Sequence, residues 1–449
     1  TAVVLGGGML ATSRRLGGAD AKADGALLAG EGVVDVSPPK GITLGGFHYS
    51  PGRPRLVTAI RQKPEARALV IRRKDTSAAI VSLDMLNVSF DMVRNVQAAV
   101  EKEVKIPAAH VRLCATHTHS MPSIAFNRQW GDNHPEYEAK VVSEIVQAVS
   151  AAQRDLSGAA LYCGTSRVEG GNVNRTARMW KTERGFGEHS TDAERWLDTV
   201  AQVLHFERGG GKKSLLWYNF SAHPTSFNDG QAGPDWPGLV QRILREREMI
   251  APAYLQGHIG DVAPTGEEQT AIAVADAIGR AVESSKRVEV DAIRVATQNF
   301  RLPYNLELFK SQIEQYRRDP AGCARGEWVD AAFAKDWFDT FASKYDMSKT
   351  ELPITLAVMR IGSVGLAFHP AELYSVYGLI VQRDSPLKPT MVIGYADGYV
   401  GYVTDPAAYA GKEYAAVVVP KILNHPPFSA TAGRKMTSAM IELLKQVAA

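Results

Sequence analysis

The sequence has few cysteines, a small net charge and no long apolar run. Its three cysteines, Cys114, Cys163 and Cys323, are an odd number at no spacing typical of a metal site, so a disulfide framework is not expected, although a single bridge remains open. No segment has the roughly 18 consecutive apolar residues that a membrane span needs. The net charge is only +3, without a basic stripe interleaved with aromatics, which argues against a nucleic-acid partner.

The composition is that of a globular protein, with 45% hydrophobic and 22% charged residues. A chain of 449 residues can bury one large core, and neither a repeat nor a convincing linker divides it, so we predict a single domain over residues 31–449. Residues 1–11 are apolar and glycine-rich, begin without methionine and lead into small and polar residues up to 30. This first segment is either the tail of an export signal or a disordered N-terminal arm.

Short apolar runs alternate along the chain with segments whose apolar residues recur at helical spacing. The runs predict strands at 68–71, 79–83, 111–115, 215–220, 254–257, 356–361, 364–368 and 391–395. The amphipathic segments predict helices at 90–104, 136–154, 192–206, 237–245, 270–288, 307–318, 329–341 and 437–447. This alternation predicts an α/β fold in which helices flank a mixed β-sheet on both faces. A charged helical region at 305–350 is expected to be an insertion or a lid over a cleft.

Two histidines follow the predicted strand at 111–115, in the stretch Thr116-His117-Thr118-His119-Ser120. Residues two apart on an extended backbone share a face, so the two imidazoles are expected to point the same way. Paired imidazoles at the end of a strand suit a metal ion. The alternative is that both are ordinary histidines in a hydrogen-bonded turn.

Other strand ends carry residues of the same chemical kind. His223 follows the strand at 215–220, His369 and Glu372 follow the strand at 364–368, and Tyr402 lies beyond the strand at 391–395. Ligands of open α/β sheets collect at the carboxyl ends of the strands, so these side chains are expected to converge. Two imidazoles and a carboxylate form a catalytic zinc set that leaves one position open for water or substrate.

Several motifs occur in an order typical of one family, from residue 34 onwards. They are Asp35-Val36-Ser37-Pro38-Pro39, Gly45-Gly46-Phe47, Thr116-His117-Thr118-His119-Ser120, Asn174-Arg175, Ala222-His223-Pro224-Thr225-Ser226 with Asp235, Gly260-Asp261-Val262-Ala263-Pro264, Pro370-Ala371-Glu372, and Tyr402-Val403-Thr404 with Tyr414. Together they resemble the catalytic domain of the neutral/alkaline (non-lysosomal) ceramidases.

The resemblance implies a role for each matching residue. It assigns the zinc ligands as His117, His223, Glu372 and Tyr402, and places His119, Arg175, Tyr414 and Asp261 in the catalytic group. His119, Arg175 and Tyr414 would surround the substrate carbonyl, where fixed donors stabilise an oxyanion and an imidazole moves a proton. Asp261 and Asp235 are expected to orient the imidazoles. Taken singly, the tyrosines would be half-buried aromatics and Arg175 a surface ion pair.

The sequence departs from the family pattern at the expected serine nucleophile, where it has Ala263. Alanine has no hydroxyl, so covalent catalysis at this position is excluded. Three explanations remain: an engineered Ser-to-Ala change, an inactive relative that keeps the metal, and direct use of zinc-activated water, which we favour. The neighbouring hydroxyls of Thr265, Ser120 and Ser226 are weaker nucleophile candidates.

We therefore predict a zinc-dependent hydrolase of an amide or ester bond. The family's C-terminal β-sandwich domain has no counterpart in this sequence, so a smaller or more polar substrate is as much expected as an N-acyl lipid such as ceramide. Family members are commonly secreted or periplasmic, and we expect the same location here.

Overall fold

The computed structural model describes residues 26–449, so residues 1–25 of the predicted signal remnant or arm (residues 1–30) lie outside the described part. The strands in the first half are β1 (Leu28–Asp35), β2 (Ala59–Ile60), β3 (Glu65–Arg73), β4 (Thr76–Leu83), β5 (Val111–Ala115), β6 (Ser157–Arg167), β7 (Asn172–Asn174), β8 (Lys181–Thr182), β9 (Trp196–Leu197), β10 (Val200–Arg208) and β11 (Leu215–Phe220). The later strands are β12 (Gln231–Ala232), β13 (Ala253–Gln256), β14 (Val262–Pro264), β15 (Lys286–Val288), β16 (Ile293–Pro303), β17 (Glu351–Ile361), β18 (Val364–Phe368), β19 (Glu372–Leu373), β20 (Thr390–Ile393) and β21 (Tyr402–Val403).

The helices lie between these strands and after them. They are α1 (Phe90–Val104), α2 (Pro135–Arg154), α3 (Trp236–Glu246), α4 (Glu267–Glu283), α5 (Leu306–Arg318), α6 (Ala331–Thr340), α7 (Ser375–Asp384), α8 (Pro406–Ala410), α9 (Tyr414–Val417), α10 (Val419–Ile422) and α11 (Ala432–Ala448). Local sequence sets several of their ends. For example, the Ser89 side chain accepts the backbone N–H of Met92 and so caps the start of α1. None of the helices in the described part is long and apolar enough to cross a bilayer.

Two mixed sheets form the centre of the fold. The large sheet has the order β13-β11-β10-β6-β1-β3-β4-β5, with β15 also paired to β6, and the small sheet has the order β16-β17-β18-β20. Most neighbours are antiparallel, whereas β4–β5, β11–β13 and β18–β20 are parallel. This arrangement confirms the predicted α/β class with a mixed sheet and flanking helices.

The two sheets pack face to face, and helices cover their outer faces. Alternate residues of β3 show the division: Ile71 packs in the core between the sheets, which also contains Met359 and Ile393 of the small sheet, whereas Val70 packs in the core under α1 and α2. Helices α3 and α4 cover the other half of the large sheet, and α7 and α11 cover the small sheet. We expected helices on both faces of one sheet, but a second sheet takes one of those faces.

The predicted helix over 192–206 is wrong. This stretch contains β9 and most of β10, and β10 pairs on its two edges with β6 and β11. Apolar residues at 200, 203 and 204 fit a helix face, but they fit equally a strand whose two faces are both buried. The predicted helix over 270–288 ends at Glu283, and its last residues form β15. β1 begins at Leu28 and so includes three residues assigned to the N-terminal arm.

The region at 305–350 is helical, as predicted, and connects the antiparallel strands β16 and β17. Its helices α5 and α6 enclose a small core of their own, which includes Phe309, Trp328 and Trp337. Phe333 of α6 makes an edge contact with Trp130, their ring centroids 5.9 Å apart. The insertion therefore packs against the loop at 127–130; its action as a lid stays a prediction.

A glycine in β1 tests the close packing of sheet and helix. A Cβ at Gly32 would lie 2.1 Å from the carbonyl oxygen of Ala148 in α2. We therefore expect Gly32→Ala to lower the free energy of unfolding by roughly 1–3 kcal/mol or more, because backbone atoms cannot move aside cheaply. The matched control is Gly279→Ala in α4, where a Cβ meets nothing within 4 Å and should stabilise by about 0.5–1 kcal/mol. Urea unfolding of both variants measures the difference, and equal midpoints would contradict the packing.

Candidate metal centre

The two histidines of the Thr116-His117-Thr118-His119-Ser120 stretch meet, but not through strand alternation. β5 ends at Ala115, and His117 has a left-handed backbone with φ of 63°. The expectation of an extended backbone through this motif is therefore wrong. The Nε2 atoms of His117 and His119 nevertheless lie 3.2 Å apart. A strained backbone at a non-glycine residue is tolerated where the surrounding structure enforces it, often at functional sites.

A third imidazole, that of His223, lies beside the first two. One ring nitrogen from each of His117, His119 and His223 falls within 4.8 Å of the others. His117 and His223 are fully buried, whereas His119 is partly exposed. The predicted convergence of the strand ends after β5 and β11 is thus present in the structure.

Main-chain carbonyls determine the proton positions on two of the rings. Nδ1 of His117 lies 2.7 Å from the carbonyl oxygen of Leu86, and Nδ1 of His223 lies 2.7 Å from that of Val262. A carbonyl oxygen only accepts, so each Nδ1 must carry the hydrogen and each Nε2 must present a lone pair. Burial lowers the pKa of both imidazoles, that of His223 to about 3, so both are neutral near pH 7.

The carboxylate of Glu372 completes this cluster. Its Oε2 lies 3.2 Å from Nε2 of His223 and 3.7 Å from Nε2 of His117. Burial raises the pKa of Glu372, whereas the hydrogen bond that its Oε1 accepts from the Tyr399 hydroxyl lowers it, and the net pKa lies below its ordinary value, so the group is ionised. The Nε2 lone pairs of His117 and His223 and the Oε2 atom of Glu372 therefore converge, and none of these three atoms carries a hydrogen. A cation satisfies this donor set, and two histidines with a carboxylate are a zinc-type set.

Tyr402 and Arg175 form the next part of the site. Parallel pairing of β19 with β21 places Glu372 opposite Tyr402. Nη2 of Arg175 donates to the Tyr402 hydroxyl at 2.7 Å and to the Gly260 carbonyl at 3.0 Å, and it lies 3.3 Å from Nε2 of His223. The guanidinium thus reaches into the site and is not the surface ion pair of the alternative interpretation. Tyr402 offers a phenol oxygen beside the imidazoles and Glu372, as the resemblance implies for a fourth ligand.

His119 and Tyr414 border the same cavity as the cluster, together with Leu86 and Trp130. His119 Nδ1 is buried and has no hydrogen-bond partner in residues 26–449. The approach of the main chain to this ring requires glycine at position 46, because a Cβ there would lie 2.4 Å from Nδ1. Tyr414 is 46% exposed, and its ring centroid lies 6.4 Å from that of Tyr402.

The two aspartates do not orient the imidazoles, so that prediction is wrong. Asp261 accepts hydrogen bonds from the Asn174 amide and from the backbone N–H and hydroxyl of Ser375, at 2.7–2.8 Å. Asp235 accepts backbone N–H groups of residues 226, 227 and 236. Asp261 thus secures β7 and the start of α7, and Asp235 secures the loop after His223. Carbonyl oxygens do the orienting that we had assigned to carboxylates.

Ala263 lies in β14, opposite Val173 of β7 and one residue after the carbonyl that holds His223. Its methyl group offers no nucleophile at this border of the site. The Thr265 hydroxyl is engaged with the carbonyl of Gly170 at 2.7 Å. The hydroxyls of Ser120 and Ser226 lack hydrogen-bond partners in the described chain, and both residues belong to loops that carry the histidines.

Sequence reasoning missed two tyrosines of the site. The Tyr399 hydroxyl donates to Oε1 of Glu372 at 2.6 Å, and the Tyr395 ring stacks on His117 with centroids 4.1 Å apart. Both precede Tyr402 in a segment that the strand-end argument had already singled out. Their residue type was the available signal, but neither spacing nor motif distinguished them from half-buried aromatics.

Comparisons with known proteins agree with this fold. Residues 28–234 match the family described as neutral/alkaline non-lysosomal ceramidase, N-terminal. The neutral ceramidase from Pseudomonas aeruginosa has a similar structure, with a TM-score of 0.73 and 17% sequence identity over 95% of this chain and 75% of that chain. A ceramidase complexed with C2 gives a TM-score of 0.72 and 17% identity over 94% and 75%. At this identity the structural likeness shows the fold. No curated protein sequence is significantly similar.

Removing one imidazole should remove the cation site. We expect His223→Ala to lower bound zinc from about one ion per chain to a small fraction, because the variant loses one of the two imidazoles that the zinc-type donor set requires. Zinc at 100 times its dissociation constant should stabilise the unaltered protein by about 2.7 kcal/mol and the variant hardly at all. Metal analysis and thermal unfolding measure both effects. His189→Ala, at an exposed loop position, is the matched control and should keep full zinc binding.

Proposed function

We propose that the protein is a zinc-dependent hydrolase of an amide or ester bond, since residues 28–234 match the family described as neutral/alkaline non-lysosomal ceramidase, N-terminal. The observation that carries the proposal is the convergence of His117 Nε2, His223 Nε2 and Glu372 Oε2, three electron-pair donors with no hydrogen between them. Tyr402 is the proposed fourth ligand. Zinc at this position would supply the positive charge that polarises a carbonyl group and acidifies water.

The chain's own residues would handle the charges and protons of hydrolysis. Arg175 is a guanidinium already directed at the site, and Tyr414 is a half-exposed phenol beside it, so both are suited to donate to the carbonyl oxygen as negative charge develops there. Burial lowers the pKa of His119 well below its ordinary value, which keeps the ring neutral. A neutral imidazole can take a proton from water and pass it to the leaving amine or alcohol.

We propose water, and not a serine, as the nucleophile. Ala263 has no hydroxyl, and the Thr265 hydroxyl is bonded to a main-chain carbonyl. An amide or ester smaller or more polar than ceramide is included in the proposed substrate class, since fold and family indicate reaction type better than substrate.

Ala263 also favours a second candidate, a non-catalytic relative that keeps the metal. The two candidates differ in turnover. A panel of N-acyl amides, lactones and simple esters should include at least one substrate whose hydrolysis is stopped by a chelator and restored by zinc. Stoichiometric zinc without any chelator-sensitive turnover would favour the binding protein.

His119 tests the catalytic role separately from the metal. His119→Gln should lower kcat by about 10²–10⁴-fold, because proton transfer is lost, while zinc content stays near that of the unaltered protein. Steady-state kinetics and metal analysis on the same preparation measure the two quantities. A variant that loses zinc in proportion to activity would instead assign His119 to the metal set.

Restoring the family's serine tests the choice of nucleophile. We expect Ala263→Ser to leave kcat within a few-fold, because the site as built activates water without a hydroxyl at this position. Turnover of ceramide and of short N-acyl amides, before and after the change, is the measurement. A large gain in ceramide hydrolysis would reject the water mechanism and support an engineered Ser-to-Ala change.

A further inference from the structure

The two oxygens of the Glu372 carboxylate face different groups. Oε2 faces the imidazoles of His223 and His117, whereas Oε1 accepts a hydrogen bond from the Tyr399 hydroxyl at 2.6 Å. Glu372 is only 1% exposed, so water does not compete for this hydrogen bond. A hydrogen bond to an ionised carboxylate is among the stronger kinds. The phenol therefore determines which oxygen remains free for a cation.

Tyr399 is held in a column of aromatic rings. Its ring is nearly parallel to that of Tyr395, at 16° and 6.1 Å between centroids, and Tyr395 stacks on His117 at 4.1 Å. The column thus joins the group that holds Glu372 to one of the imidazoles. The Tyr395 hydroxyl, by contrast, is buried and has no hydrogen-bond partner within the described residues.

The main chain before Tyr399 is fixed to the strand that leads to His117. Asp397 accepts the backbone N–H of Leu113 at 2.9 Å and pairs with the buried Arg112, both in β5. Gly398 has φ of 146°, and a Cβ there would lie 2.3 Å from the Phe90 ring, so this turn has little room to shift. The main chain that carries Tyr399 is therefore held in place. If the Glu372 carboxylate rotates, the Tyr399 hydroxyl does not move with it.

We propose that Tyr399 is a positioning residue that holds Oε1 of Glu372, so that the carboxylate presents the single oxygen Oε2 to the cation. The inference rests on the metal centre of the proposed function. Without the phenol hydroxyl, the buried carboxylate is free to rotate about its last bond, and its second oxygen competes for the ion. Loss of such a supporting hydrogen bond typically weakens metal binding by about 10–100-fold.

The test compares two variants that each remove one hydroxyl from the same aromatic column. Tyr399→Phe should raise the zinc dissociation constant by about 10–100-fold, whereas Tyr395→Phe should leave it within about threefold. Competition with a chromophoric chelator measures the constant. Cobalt(II) loaded in place of zinc adds a second readout, because its visible absorption reports coordination number and geometry. The cobalt spectrum should change in Tyr399→Phe only.

Each outcome decides the proposal. Equal zinc affinity and equal cobalt spectra in the unaltered protein and Tyr399→Phe would overturn it. Equal weakening in both variants would also overturn it, because the ring packing and not the hydrogen bond would then set the affinity. An unaltered protein that binds neither zinc nor cobalt rejects the proposed function itself, and the positioning role with it. Thermal unfolding of the metal-free proteins confirms that both variants are folded.

Discussion

The candidate metal centre depends on two main-chain carbonyls that act as fixed hydrogen-bond acceptors. The carbonyl of Leu86 lies in the loop between β4 and α1, and that of Val262 lies in β14. By binding Nδ1–H, they force the Nε2 lone pairs of His117 and His223 toward each other and toward Glu372. Such an arrangement is unfavourable in a dry interior unless positive charge lies near it; the Arg175 guanidinium, 3.3 Å from Nε2 of His223, supplies part of that charge. The suitability of the cluster for a cation is thus set by backbone geometry, and the packing of the layers maintains that geometry.

Burial gives this arrangement its chemical character. The same desolvation that keeps the two imidazoles neutral also removes competing water from the Glu372 carboxylate, which is 1% exposed, so its interactions inside the site are little screened. Arg175 uses one nitrogen to donate to both Tyr402 and a main-chain carbonyl, so its orientation is restricted before any substrate arrives. A donor fixed in advance requires no reorganisation when negative charge develops.

Much of the fold followed from the sequence where strands are buried on both faces. The strands at 111–115, 215–220 and 364–368 match the predictions residue for residue. A short, continuous apolar run bounded by loops is typical of a strand that is buried on both faces. β6 and β16 escaped prediction because their residues alternate between buried and exposed or are largely polar. β10 was mistaken for a helix because its apolar residues are spaced as on a helix face. Its pairing with two neighbouring strands determines the structure instead, and no local sequence pattern predicts that pairing.

The site shows a sharper division between what sequence patterns reveal and what they hide. Ligand-type side chains have a recognisable identity, so His117, His223 and Glu372 could be proposed from strand ends and family motifs. A carbonyl oxygen belongs to every residue, so the groups that orient those histidines cannot be identified from the sequence.

The role of the carbonyl oxygens also explains how the site accommodates Ala263. His223 is held by the carbonyl of Val262 and not by the side chain at 263, so serine can be replaced there without disturbing the imidazole. The side chain at position 263 and the orientation of His223 are therefore separable in this fold.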